Sequence, residues 1–143
     1  MKTGSLVRLL ACGALFILAV TFSSAQTVRA NIPFDFVAAG SSLAAGEYTL
    51  EGSGPTDEVL QMCNLDQRRC IFVIASQVAS GAKNDPGKLI FNRYGDQYFL
   101  SEIWSRSLVR TLPQDRRERQ LAKSGAEPVA AVITAELSSH AGR

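Results

Sequence analysis

The sequence predicts an all-β fold: an antiparallel β-sandwich or small open barrel with one short α-helix in its carboxyl-terminal region. Three observations lead there. Short runs rich in Val, Ile, Phe, Tyr and Thr recur between clusters of Gly, Pro, Asn and Asp, the pattern of strands and turns. One such pair, Lys88 to Tyr94 and Gln97 to Trp104, flanks Gly95-Asp96 and reads as a hairpin. After Leu112-Pro113 the chain turns highly charged for a single helix-length stretch.

At the amino end, Lys2 and Arg8 are the only charges before Arg29, and Leu9 to Val20 carries none. Small residues Ser23 and Ala25 then precede Gln26. A basic start, a short apolar stretch and small residues at a cut make a cleavable signal peptide over residues 1–25. A spanning helix needs about 20 apolar residues, and Thr21 to Gln26 turns polar too soon. Leu9-Leu10-Ala11-Cys12 has the look of a lipid-attachment box. The apolar stretch continues past Cys12, however, where such a cysteine should end it.

Residues 26–137 are expected to form a single domain. Thr27 to Phe36 alternates in part, with Val28, Ala30, Ile32, Phe34 and Phe36 on one parity, and Pro33 marks an edge strand or a bend. Glu47 to Glu51 is a second strand. Val59 to Cys63 and Cys70 to Val78 form the next pair. Ile71 to Ala75 is apolar on both parities, which predicts a central strand covered on both faces. Asp85-Pro86-Gly87-Lys88 has a type II turn pattern.

In the hairpin a two-residue II′ turn opposes Tyr94 with Gln97, Arg93 with Tyr98, Asn92 with Phe99 and Phe91 with Leu100. Continued without a break, that register puts Leu89, Phe91, Tyr98, Leu100 and Trp104 on one face. Ile90, Tyr94, Phe99 and Ile103 fall on the other. Both faces are apolar, so a second sheet and a helix are the expected covers. Residues 114–123 form the helix, with Asp115 and Arg119 spaced to pair and only Leu121 and Ala122 to pack. Pro128 to Leu137 alternates as a strand, with a frayed helix as the alternative. Residues 138–143 are expected to be a disordered tail.

Charge and cysteines bound the function. The formal net charge is +2, and Lys2 and Arg8 leave with the signal. Thirteen of the 15 basic residues then face 13 acidic ones. A neutral domain has no global field for nucleic acid. No later apolar segment is long enough to span a membrane, so a soluble protein of the periplasm or cell surface is expected. Cys63 and Cys70 remain after cleavage. Their spacing suits neither a redox C-x-x-C nor a zinc knuckle. If Leu65 to Arg68 form a four-residue turn, Cys63 faces Cys70 across a hairpin and a disulfide can close there. Two reduced thiols are the alternative.

The single histidine, His140, lies close to the carboxyl end. That argues against His-dependent catalysis and a histidine-rich metal centre. No phosphate-binding glycine loop is present. No catalytic residue, cofactor or metal is expected. Asp35, Glu47, Asp96 and Glu102 are the carboxylates a hydrolase would draw on, and surface ions are the plainer reading. Arg106, Arg110, Arg116, Arg117 and Arg119 cluster in sequence. Arg116, Arg117 and Arg119 are a candidate anion-binding face, against the plainer reading of a solvated helix. Tyr94, Tyr98, Phe99 and Trp104 are either core or a stacking platform.

Two stretches carry a resemblance. RANIPFDFVAAGSSLAAGEYTL (Arg29 to Leu50) and LIFNRYGDQYFLSEIW (Leu89 to Trp104) resemble a family of small exported acidobacterial proteins. The shared features are the IPFDF stretch, the L-x-x-G-E-Y-T segment, the F-x-R-Y-G-D-x-Y-F-L hairpin and a basic segment like RRERQLA. The resemblance implies an exported β-domain and carries no activity, cofactor or site residue. Ala45 stands where that family often has proline. Leu43 to Tyr48 is also similar to the tyrosine corner of immunoglobulin-like sandwiches, where a Tyr hydroxyl bonds to upstream backbone. The leading expectation is an exported, non-catalytic binding or structural module with an extracytoplasmic partner or ligand. One alternative is a lipocalin-like carrier with a cavity lined by Phe72, Phe91 and Phe99. The other is a small carboxylate hydrolase.

Overall fold

Gly95 adopts φ +61°, a conformation its missing Cβ permits, and so turns the chain between two long strands. The computed structural model describes residues 25–53, 58–80, 86–106 and 108–140. The proposed signal peptide before Ala25, the start of the Asp85 turn and residues 141–143 lie outside them. The strands are β1 (Ala25–Ile32), β2 (Phe36–Ala38), β3 (Ser41–Leu43), β4 (Gly46–Gly52), β5 (Val59–Asn64), β6 (Arg69–Ile74), β7 (Ser76–Ala79), β8 (Gly87–Tyr94), β9 (Gln97–Ser105), β10 (Leu108–Thr111) and β11 (Val129–His140). The helix α1 spans Arg116–Lys123. The all-β class with one short helix is therefore what the chain adopts.

Pairing runs β3-β2-β9-β8-β11-β1-β4-β5-β6, antiparallel except for β2 beside β9. The chain then passes from β6 through Ala75 into β7, which pairs β10, and β10 pairs β9. The sheet is strongly curled. In a flat sheet β2 and β4, five strand spacings apart, would be separated by about 24 Å. The rings of Phe36 on β2 and Tyr48 on β4 are instead 5.2 Å apart, edge to face. Alternation along β1, β4, β5 and β8 sends Val28, Ala30, Ile32, Tyr48, Leu50, Leu60, Met62, Leu89 and Phe91 into one shared core.

The β8–β9 register is the expected one from Tyr94–Gln97 to Phe91–Leu100. Beyond it a bulge intervenes: Leu100 faces Phe91 but Glu102 faces Ile90, leaving Ser101 extra. Ser101 Oγ donates to the Ile90 carbonyl (3.1 Å). The slip reverses parity, so two face assignments are corrected. Ile103, opposite Leu89, enters the core, and Trp104 turns outward beneath the Lys88 ammonium, 3.8 Å from the ring centroid. Arg93 sits over the Tyr98 ring as expected (5.6 Å).

Four further expectations change, and the alternatives left open at Pro33 and Pro128 are settled. β6 is an edge strand, not a central one, and Phe72 (61% exposed) and Ile74 (65%) face solvent. Pro33 marks a bend rather than an edge, because β1 is paired on both sides, by β11 and β4. Gly87 begins β8 without a positive φ, its backbone pressed against Leu137, so it is not the third residue of a type II turn. The segment from Pro128 is a strand, but it continues through Ser138 to His140, which pairs Ala25. Those three residues are thus not a disordered tail. The helix starts two residues later than position 114, because the Asp115 carboxylate caps it by accepting from Arg117 N (2.7 Å).

Candidate functional site

The bend at Pro33 brings Asp35 out of the sheet, where its Oδ1 accepts from Ala45 N (2.8 Å). Ala39 and Gly40, both with positive φ, then make a two-residue turn between β2 and β3. Gly40 lies against the helix start, since a Cβ there would be 3.4 Å from Asp115 Oδ2. The β2–β3 hairpin, the β8–β9 turn and the first turn of α1 together enclose a surface cleft of about 340 Å³. Asp35, Asp96, Tyr98, Ser42, Gln97 and Arg117 supply its polar groups over an apolar floor of Phe36, Val37 and Leu43. Phe34 stacks on the Tyr98 ring, centroids 3.8 Å apart, and so fixes it. A second cleft of about 250 Å³ adjoins, lined by Gly40, Ser42, Asp115, Arg116, Arg117 and Gln120. Arg117 belongs to both.

The candidate arginines therefore divide. Arg116 and Arg117 reach the clefts; Arg119 lines neither. Arg110 is 8% exposed and donates to Ser105 Oγ (3.5 Å), so it is no part of an anion-binding surface. The carboxylates divide too. Glu47 pairs with Arg29, whose hydrogen bond holds the Glu47 carboxyl below its ordinary range. Glu102 accepts from Trp104 Nε1 (2.7 Å). Asp35 and Asp96, distant in sequence, share the larger cleft. Asp115 serves as the helix cap, and Asp115–Arg119 is not an ion pair among the described residues.

The aromatic candidates do not form one platform. Tyr94 and Phe99 meet edge to face at 5.9 Å and are buried on the sheet's outer side. Tyr98 lines the cleft, and Trp104 lies half-buried at the outward end of β9. Phe72, Phe91 and Phe99 are likewise separated: exposed edge, inner core, outer side. They cannot line one chamber.

Two residues escape a reading of the sequence. Glu118 is 2% exposed and accepts from Asn92 Nδ2 (2.8 Å), which ties α1 to the sheet. A solvated charge is the expectation there. The signal is present all the same, because Glu118, Leu121 and Ala122 are spaced i, i+3, i+4 on one helix face. Burial of the Tyr94 ring pushes its hydroxyl pKa up, and the nearby Glu118 charge adds to the rise. Asn64 is the other. Its Oδ1 accepts from Gln67 N (2.8 Å) in the β5–β6 turn, and its buried Nδ2 has no partner among the described residues.

The disulfide has the expected placement. Leu65 to Arg68 form the turn, Asn64 faces Arg69, and Cys63 is bonded to Cys70 with Cα atoms 4.0 Å apart. The tyrosine-corner likeness also holds locally, since Tyr48 Oη donates to the Ala44 carbonyl (2.7 Å). Among the described residues no group of His, Cys, Asp and Glu is arranged to hold a metal ion, and no helix is long and apolar enough to cross a membrane. Comparison with protein-family models, with curated proteins and with solved structures gives no match.

Proposed function

We infer that the chain is an exported, non-catalytic binding module whose ligand seats in the cleft between the β2–β3 hairpin, the β8–β9 turn and α1. The cleft carries this reading. Its volume lies in the range of small-molecule sites, with an apolar floor and a few convergent polar groups. Asp35 and Asp96 accept hydrogen bonds, Arg117 donates them, and Ser42, Gln97 and Tyr98 do both. Two carboxylates beside one guanidinium disfavour a simple anion. They suit a neutral, polyhydroxylated or amine-bearing molecule. The disulfide and the signal-like first 25 residues support an extracytoplasmic setting, where thiols can oxidise.

The test is titration of the mature protein with neutral and amino sugars, monitored by amide NMR shifts. Shifts confined to residues around Ser42, Gln97 and Arg117, and lost in Arg117→Ala, are expected. No shift with any of these sugars would sink the reading.

Asp35 and Asp96 in one cleft also favour a second reading, a carboxylate-dependent glycoside hydrolase. Turnover of chromogenic glycosides by the wild type, abolished in Asp96→Asn, would establish it in place of the first.

A further inference from the structure

The outer edge of β6 pairs with no strand among the described residues. We propose that the protein forms a two-fold symmetric dimer in which β6 of one copy lies antiparallel to β6 of a second, continuing the sheet across the axis. This rests on the strand edge and is independent of the cleft.

The direction of the backbone groups decides what that edge can pair with. The Cys63–Cys70 Cα separation of 4.0 Å marks a non-hydrogen-bonded pair in the β5–β6 ladder. Arg69, Ile71 and Val73 therefore turn their N–H and C=O toward β5. Ala75 N, at the next position of that parity, donates to the Glu58 carbonyl on the same side (2.9 Å). Cys70, Phe72 and Ile74 consequently aim their N–H and C=O at the opposite edge, which no described strand pairs.

Those three residues are spaced symmetrically about Phe72. Centring a two-fold axis on Phe72 sets it opposite Phe72 of the second copy and sets Cys70 opposite Ile74 in both directions. Each is then a hydrogen-bonded pair. All three side chains point to the outer face, and a two-fold perpendicular to the sheet keeps them there. Phe72, mostly exposed in one copy, would pack against Phe72 of the second, and Ile74, also mostly exposed, against its Cys70.

Edge strands usually carry a Lys, a Pro or a bulge that blocks such pairing. Arg69 to Ile74 has no Lys, Pro or bulge, and its one charge, Arg69, stands at the strand's end.

Charge points to the same partner. One end of the strand is basic (Arg68, Arg69) and the other lies beside Glu58, which precedes β5. Neither Arg69 nor Glu58 has an ion-pair partner among the described residues. In the symmetric pair, Arg69 lies opposite Ala75 of the second copy, with Glu58 of that copy one strand further on. Two strand spacings are about 10 Å, within the joint reach of the exposed Arg69 and Glu58 side chains, while Ala75 between them stays buried in its own core. The axis generates this contact twice. The apolar area is small, so the dimer is expected to be weak and concentration-dependent.

Sedimentation equilibrium of the mature, disulfide-intact chain tests this. The mass should rise toward two chains with concentration. Phe72→Lys puts two ammonium groups opposite each other and should weaken association about tenfold or more. Circular dichroism should show its monomer folded, because position 72 faces solvent. Arg69→Glu alone and Glu58→Arg alone should each weaken association, and the double variant should restore it. A wild type monomeric at its highest soluble concentration would overturn the proposal. So would association indifferent to Phe72→Lys. A monomer that takes up an added extended peptide along β6 would also overturn it, by making a foreign strand the occupant.

Discussion

Replacing Tyr48 by Phe removes one hydroxyl from the core edge and leaves the ring in place. The ring is 1% exposed and packs edge to face against Phe36, and Phe preserves that contact. Only the hydroxyl is lost, with its 2.7 Å bond to the Ala44 carbonyl. That carbonyl lies where the chain leaves β3 for β4, in a partly buried position. Stranding it costs its desolvation as well as the bond, about 2 kcal/mol. A domain of this size loses about 4 °C of melting temperature per kcal/mol, so a fall of roughly 8 °C is expected. Urea unfolding by far-ultraviolet circular dichroism should show a lower midpoint at unchanged slope. A loss below about 0.5 kcal/mol would mean that water satisfies the carbonyl and that the corner holds nothing.

Three more outcomes are expected. Removing the disulfide by Cys63→Ala with Cys70→Ala frees a loop of sequence separation 7 and should cost about 2.5 kcal/mol by chain entropy, read from the same urea curves. Gly46→Ala should cost about 1–3 kcal/mol: at φ +151° its Cβ would come 2.8 Å from Asp66 Oδ2, the acceptor of Glu47 N. Stability should also fall in alkali. Burial raises the pKa of Tyr48 and Tyr94, so the folded chain keeps protons that the unfolded chain sheds from about pH 10. The stabilisation is whole below that pH and is lost as pH climbs toward the folded values. Melting temperature measured against pH should stay level up to about pH 9 and then decline, less steeply in Tyr48→Phe.

Local signals are legible in the sequence and long-range ones are not. Gly95-Asp96 sets the β8–β9 register, because a two-residue turn leaves one way to pair its flanks. The same logic places Cys63 opposite Cys70. The bulge at Ser101 escapes, since an extra residue in a ladder demands no special side chain. Ile71 to Ala75 misleads because an apolar run states that a strand is apolar, not which neighbours it has. Phe72 and Ile74 are exposed because no second layer lies outside β6 among the described residues. The cleft escapes for a related reason. Asp35, Ser42, Asp96 and Arg117 are brought together by the sequence-distant pairing of β2 with β9 and by the docking of α1, which no local pattern encodes.

The position of β11 sets the order in which the sheet can be completed. Its first half pairs β8 and its second half pairs β1, so it alone bridges the β4–β1 and β8–β9 ladders. It is also made after all ten other strands. Each hairpin can form on its own, but the sheet stays in two parts until β11 joins them. Val28 and Ala30 on one side and Leu89 and Phe91 on the other are left without their shared core until then. Joining the two parts therefore waits for β11 and is governed by slow, sequence-distant pairing.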